Sequence, residues 1–115
     1  MQSYLCLYLI VPNKETLSYD ILSEHPDRYE ECCTEISPSL DLDSQIDNLY
    51  LKYIDLDPQY IKFIHLKPYI NNNKLYIPVY CLIPYNSYKI KNSYKISCNE
   101  HAKFIPNLRK ILNII

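Results

Sequence analysis

The chain has 115 residues, 48 % of them apolar, and a net charge of only −1. That length and apolar share fit one globular domain of 1–115 with its own core, and exclude a disordered polar chain. Glycine is absent. This excludes phosphate-cradling loops of the P-loop or dinucleotide type and a G-x-S-x-G nucleophile elbow, all of which need glycine.

Residues 2–11 form a continuous apolar run, rich in branched and aromatic side chains, and read as a strand buried on both faces. Residues 14–24 fit a helix (Leu17, Ile21, Leu22) and a strand (Leu17, Tyr19, Ile21) equally well. Pro26 with acids behind it reads as the start of a short helix over 26–36. The clearest helix is 44–54, where Ile46, Leu49, Tyr50, Tyr53 and Ile54 keep helical spacing and Ser44 or Asp43 can cap it.

Beyond Pro58 the period changes to two. Residues 59–67 and 74–83 alternate around the turn-rich 68–73, which reads as a hairpin. Pro78 assigns the second strand to an edge or a bulge. Asn71, Asn72 and Asn73 are the candidates for positive φ in a chain without glycine. The repeat NSYKIK (86–91) and NSYKIS (92–97) fits one long strand or a small hairpin. Residues 98–113 read as a helix with Ser97 and Glu100 at capping-box spacing, and Pro106 should kink or divide it. The expected architecture is α+β: an antiparallel sheet of about four strands, helices mainly on one face. Its blocks are an acidic, mostly helical 12–57, a basic, mostly strand 58–97, and the closing helix 98–113.

Charge follows these blocks. Residues 1–57 carry three bases and twelve acids, a net of −9, while 58–115 carry nine bases and one acid, a net of +8. Such asymmetry points to a charged partner, to self-association or to neutralisation within the fold. Lysine neutralises phosphate and aromatic faces stack on bases, so Tyr85, Tyr88, Lys89, Lys91, Tyr94 and Lys95 form a candidate binding surface. Glu24, Asp27, Glu30, Glu31 and Glu35 form a candidate acidic face for a partner. Thirteen tyrosines suit an interface, since each buries a rigid face and keeps a polar tip.

Cys98-x-x-His101 has ligand spacing for zinc, and His25, Cys32 and Cys33 are the residues that could complete it; the spacing alone is half a site. Cys32 or Cys33 with His65 or His101 gives no activated thiol on this reading, because neighbouring acids should raise the thiol pKa. Neither a cofactor nor an active site is expected. Without a signal peptide or membrane span, and with five unpatterned cysteines, the chain reads as intracellular, cytoplasmic or nuclear, with no membrane partner.

The heavy use of Ile, Tyr, Lys and Asn, with a single Ala, suggests an A/T-rich genome such as a virus or mobile element. The functional expectation is a small non-enzymatic accessory or inhibitor protein engaging a host macromolecule, foremost a protein. A nucleic-acid-binding domain using the Tyr/Lys face is the alternative, and a homodimer built on the opposed charge halves is a further expectation.

Overall fold

The computed structural model of the protein describes residues 1–84 and 88–115. The sheet is larger than expected and mixed rather than antiparallel. Strands β1 (Gln2–Asn13), β2 (Ser18–Ser23) and β3 (Cys32–Glu35) precede helix α1 (Leu42–Leu51). There follow β4 (Ile54–Asp55), β5 (Ile64–His65), β6 (Tyr69–Asn71), β7 (Lys74–Leu82), β8 (Lys89–Ile90) and β9 (Tyr94–Ser97). Helices α2 (Cys98–His101) and α3 (Pro106–Ile114) close the chain. Seven strands form one sheet with the path β5-β7-β1-β2-β9; β3 shares an edge of β1 with β2, and β6 shares an edge of β7 with β5. β4 and β8 form a separate two-stranded sheet.

The central pair, β1 and β7, is parallel, from Gln2 opposite Lys74 to Ile10 opposite Leu82. Parallel neighbours need a long crossover, and the chain from β2 to β6, with α1 in it, supplies one. The antiparallel expectation fails here because the alternation that marks a strand carries no direction.

Helices on one face only is the second correction. β1 sends Leu5, Leu7, Leu9 and Val11 into one core with Ile46, Leu49, Tyr50 and Tyr53. It sends Cys6, Tyr8 and Ile10 into another with Leu108 and Ile111 of α3. A strand apolar on both faces has to be covered on both, so α1 lies on one side of the sheet and α3 on the other.

The expected helix over 26–36 is also overturned. Cys32–Glu35 is a strand paired with Tyr4–Leu7. The loop before it is gathered by one hydroxyl. Ser23 Oγ donates to Arg28 O (2.7 Å) and accepts from the amides of His25 (3.2 Å) and Glu30 (2.8 Å). Long-range pairing and this local hub outweigh the weak helix preference of an acidic stretch after a proline.

Other elements match their local signals more closely. α1 begins two residues early, capped by Asp41, whose side chain accepts from Ser44 N at 3.2 Å, rather than by Asp43 or Ser44. Asn72 and Asn73 take φ of 50° and 61° in the two-residue turn between β6 and β7, as a hairpin turn demands. Asn71 does not, and Leu17 and Asn92 supply the other positive φ values, 55° and 56°. Pro78 lies inside the sheet, not at its edge. Its carbonyl accepts from Leu66 N at 2.9 Å, so its missing N–H faces the gap between β5 and β6. Residues 86 and 87 of the repeat lie outside the described residues. Its described part, 88–97, forms neither one strand nor a hairpin, since β8 pairs with β4 and β9 with β2, with Ile90 on the α1 core and Ile96 in the α3 core. Pro106 divides the last helix, and Ser97 Oγ caps α2 through Glu100 N at 3.4 Å.

Two neighbouring tyrosines in the α1 core differ in one respect. Tyr53 OH donates to Glu24, whereas Tyr50 OH is buried and finds no partner among the described residues. Removing an unsatisfied buried hydroxyl should stabilise the fold, and removing a bonded one should not. Tyr50→Phe is therefore expected to gain about 1 kcal/mol and Tyr53→Phe to lose roughly 1–2 kcal/mol in urea unfolding. Equal losses in the two variants would contradict this account.

Candidate functional site

The α3 face of the sheet carries a cavity of about 860 Å³. Its floor is Tyr8 of β1, buried, whose hydroxyl accepts from Asn107 Nδ2 of α3 at 3.3 Å. Tyr29, from the Ser23-centred loop, stacks on Tyr8 with ring centroids 6.2 Å apart and planes 12° apart. Burial pushes both phenols well above their ordinary pKa, so both rings stay neutral hydrogen-bonding aromatics at any physiological pH.

Tyr69, which lines the cavity, ends a tyrosine ladder that runs across the sheet. Tyr69 of β6 stacks on Tyr76 of β7 at 5.1 Å, and Tyr76 stacks on Tyr4 of β1 at 5.6 Å. These residues meet because Tyr69 is opposite Tyr76 in one ladder and Tyr4 is opposite Tyr76 in the other. Aromatic pairs in such positions stabilise a sheet face by about 0.5–1.5 kcal/mol each. Tyr69 borders the cavity, as does the exposed Phe104 at its rim.

Basic groups surround these rings. Arg28, Lys67 and Lys110 all line the cavity, from three separate parts of the chain. Arg28 makes an exposed 3.7 Å ion pair with Glu30, which solvent keeps weak. His101 lines the same space, and its Nδ1 lies 2.8 Å from the Ser97 carbonyl. A carbonyl only accepts, so Nδ1 carries the proton, and Nε2 of the neutral ring has a free lone pair. Glu31 is the carboxylate among the described residues lining the cavity.

The sequence reading missed this site. Of its residues, Glu31 belongs to the expected acidic face and His101 to the half zinc site, but nothing in the sequence brings them together here. Tyr8, the neighbours Arg28 and Tyr29, and Tyr69 lie far apart in sequence, and no spacing connects them. The Tyr/Lys surface lies elsewhere. Tyr88, Lys89 and Lys95 border a second groove of about 940 Å³, shared with Lys14, Glu15 and Asp20. Lys91 is half-buried, with its amide donating to Tyr53 O at 2.8 Å, and Tyr94 is exposed. Tyr85 lies outside the described residues.

The acidic group is not a helix face. Glu24 accepts from Tyr53 OH and pairs with Lys52 at 3.6 Å; Glu30 pairs with Arg28; Glu31 approaches Cys6; Asp27 and Glu35 are exposed. Both ion pairs join residues of the acidic half.

Cys98 is buried, with its thiol pushed up to about 12 by desolvation, and none of His25, Cys32 or Cys33 joins it and His101 in a ligand group. Among the described residues the group that can hold a metal is Cys6, Glu31 and Cys33. The thiols of Cys32 and Cys33 differ, against expectation. Burial raises Cys32 to about 12, whereas Cys33 is lowered by its hydrogen bond with Cys6.

No helix among the described residues is long and apolar enough to cross a membrane. No protein-family model and no curated protein matches the chain. Solved structures do. The NUDIX domain of Shewanella oneidensis NrtR, complexed with ADP ribose, superposes with a TM-score of 0.68 at 12 % identity, over 96 % of this chain and 87 % of that one. A C. elegans Ap4A hydrolase in a binary complex superposes with a TM-score of 0.61 at 11 % identity, over 96 % of this chain and 95 % of that one. This likeness overturns the expectation of a non-enzymatic viral or mobile-element inhibitor. It gives no support to an accessory protein of that kind, nor to the nucleic-acid-binding alternative. What it establishes at such identity is architecture: the chain has a Nudix-like fold.

Proposed function

We propose that this chain is a phosphohydrolase acting on a nucleoside diphosphate derivative bound in the cavity over Tyr8. The observation that carries the reading is the cavity's composition. Stackable rings of Tyr29, Tyr69 and Phe104 stand beside the cations Arg28, Lys67 and Lys110. A nucleoside diphosphate derivative presents a flat base and a dianionic bridge, and those are the two features the cavity complements. Ring stacking contributes about 1–3 kcal/mol per base. Arginine and lysine offset phosphate charge and do so increasingly as negative charge builds on the leaving phosphate. His101, held by the Ser97 carbonyl, takes the proton of the attacking water on Nε2. The two structural neighbours support the substrate class, since ADP ribose and Ap4A both carry adenosine esterified to phosphates that are linked to one another by anhydride bonds.

The test is calorimetric titration with ADP-ribose and Ap4A, followed by product analysis in magnesium-containing buffer. Tyr29→Ala is expected to weaken binding by about 5- to 100-fold, the equivalent of one stacked base. His101→Gln is expected to lower turnover by about 10²- to 10⁴-fold while leaving ligand affinity within about twofold. Absence of binding to either compound would remove the whole reading. Binding without any anhydride cleavage would remove the hydrolase part.

A further inference from the structure

Beneath the cavity, Cys6 of β1 and Cys33 of β3 stand directly opposite each other across an antiparallel pair. Their Sγ atoms are 3.4 Å apart, and Cys6 Sγ is 3.7 Å from a carboxylate oxygen of Glu31. The three possible ligand atoms all lie within 4.8 Å of one another. We propose that Cys6, Cys33 and Glu31 form a divalent metal site selective for zinc, open to the cavity on the Glu31 side.

The spacing fits the ion. With Zn–S of about 2.3 Å and Zn–O of about 2.0–2.2 Å, tetrahedral angles place the sulfurs about 3.8 Å apart and a sulfur and oxygen about 3.6 Å apart. The two separations from Cys6 are close to both, and all three ligand atoms lie within 4.8 Å of one another, so an ion fits once the side chains close around it. The ligand types are also selective. Two thiolates and a carboxylate suit zinc far better than magnesium or calcium.

The arrangement is costly without a cation. The Cys6 thiol is raised, first by its hydrogen bond with Cys33, then by burial and by the nearby charges of Cys33 and Glu31, while the same hydrogen bond lowers Cys33. A bound ion reverses that penalty. On binding, each thiol gives up its proton to solvent, the sulfurs bond the metal as thiolates, and Glu31 binds as the carboxylate it already is. No oxidant is involved. Cys6 is buried, Cys33 half-buried and Glu31 exposed, so three protein ligands hold the ion from below and a fourth position faces solvent. This pattern belongs to zinc sites that bind water or substrate, as opposed to closed structural sites. The site requires no nucleotide, and its test stands apart from the function proposed above.

The reduced protein is titrated anaerobically with Co²⁺ as an optical stand-in for zinc. One equivalent should give thiolate-to-cobalt charge-transfer absorption, and Zn²⁺ should abolish it by displacement. Cys33→Ser should lose most of that absorption. Glu31→Gln should keep the thiolate signal while binding cobalt at least about tenfold more weakly. As a check that needs no variant, Zn²⁺ should slow alkylation of Cys33 by at least about tenfold, read by mass spectrometry. Unchanged cobalt spectra in folded Cys33→Ser would overturn the proposal. So would a protein with no thiolate band and no zinc protection, or one that forms a Cys6–Cys33 disulfide on mild oxidation at the same rate with and without zinc.

Discussion

Raising the pH above about 10 is expected to unfold this protein, even though its net charge at pH 7 is only −1. The cause is a set of buried acids that must stay protonated. Tyr8, Tyr50 and Tyr53 are buried phenols raised well above their ordinary value, chiefly by desolvation. Cys32 and Cys98 are buried thiols raised to about 12, and Cys81 is raised further. Once pH passes the ordinary values of about 8.5 for a thiol and 10 for a phenol, the unfolded chain loses these protons while the folded one keeps them. The unfolded state then binds fewer protons, so stability falls with rising pH. The stabilisation is fully present below the ordinary values and lost as pH climbs toward the folded ones. Each group costs about 1.4 kcal/mol per pH unit in that window. Six such groups exhaust a typical stability of about 5–15 kcal/mol within roughly one to two units. Thermal melts followed by circular dichroism, under reductant, should show the melting temperature collapsing between about pH 9 and 11. A melting temperature that holds steady across that range would show that these groups ionise without unfolding the chain.

The second large effect concerns adjacent residues of β1. Leu9 and Ile10 are both fully buried, yet Leu9 belongs to the α1 core and Ile10 to the α3 core. Leu9→Ala and Ile10→Ala should each cost about 2–5 kcal/mol, the range for deleting a large aliphatic side chain from a close-packed site. They share no side-chain partner across the sheet, so the double variant should be additive within about 0.5 kcal/mol. Coupling well beyond that value in urea unfolding would mean that the two cores report on each other through the strand. Either single change is large enough to threaten folding, so a milder pair, Leu9→Val and Ile10→Val, repeats the cycle at lower cost.

Local signals were legible wherever a few neighbouring residues decide the outcome. The apolar run of β1, the helical spacing around Leu49, the Asn72–Asn73 turn and the break at Pro106 all belong to this class. What failed depended on partners distant in sequence. Cys32–Glu35 is a strand because Tyr4–Leu7 lies beside it, and β7 is central because β1 needs a second neighbour. The double-sided burial expected of β1 already required cover on both faces, so helices on one side only was avoidable. The cavity was not legible, because its rings and cations come from β1, the Ser23 loop, the link between β5 and β6, β6 itself, the turn before α3, and α3. Repetition misled in another way. In one long strand the two copies of the N-S-Y-K-I motif would place Ile90 and Ile96 on one face, but Asn92, with its positive φ, turns the chain between them and sends these isoleucines to different cores.

The parallel pairing of β1 with β7 also governs the order in which the molecule can assemble. Leu5 pairs with Ile77, and every rung of that ladder joins residues 72 positions apart. At synthesis rates of about 5–20 residues per second, β1 waits on the order of 4–14 seconds before its partner exists. During that delay β2 and β3 can zip onto one edge of β1, while the other edge stays open and apolar. Contacts of such long range also slow folding, because loop closure precedes the reward. The nascent chain therefore passes through a stage with an unpaired hydrophobic edge, which is the kind of surface that chaperones bind and that aggregation exploits.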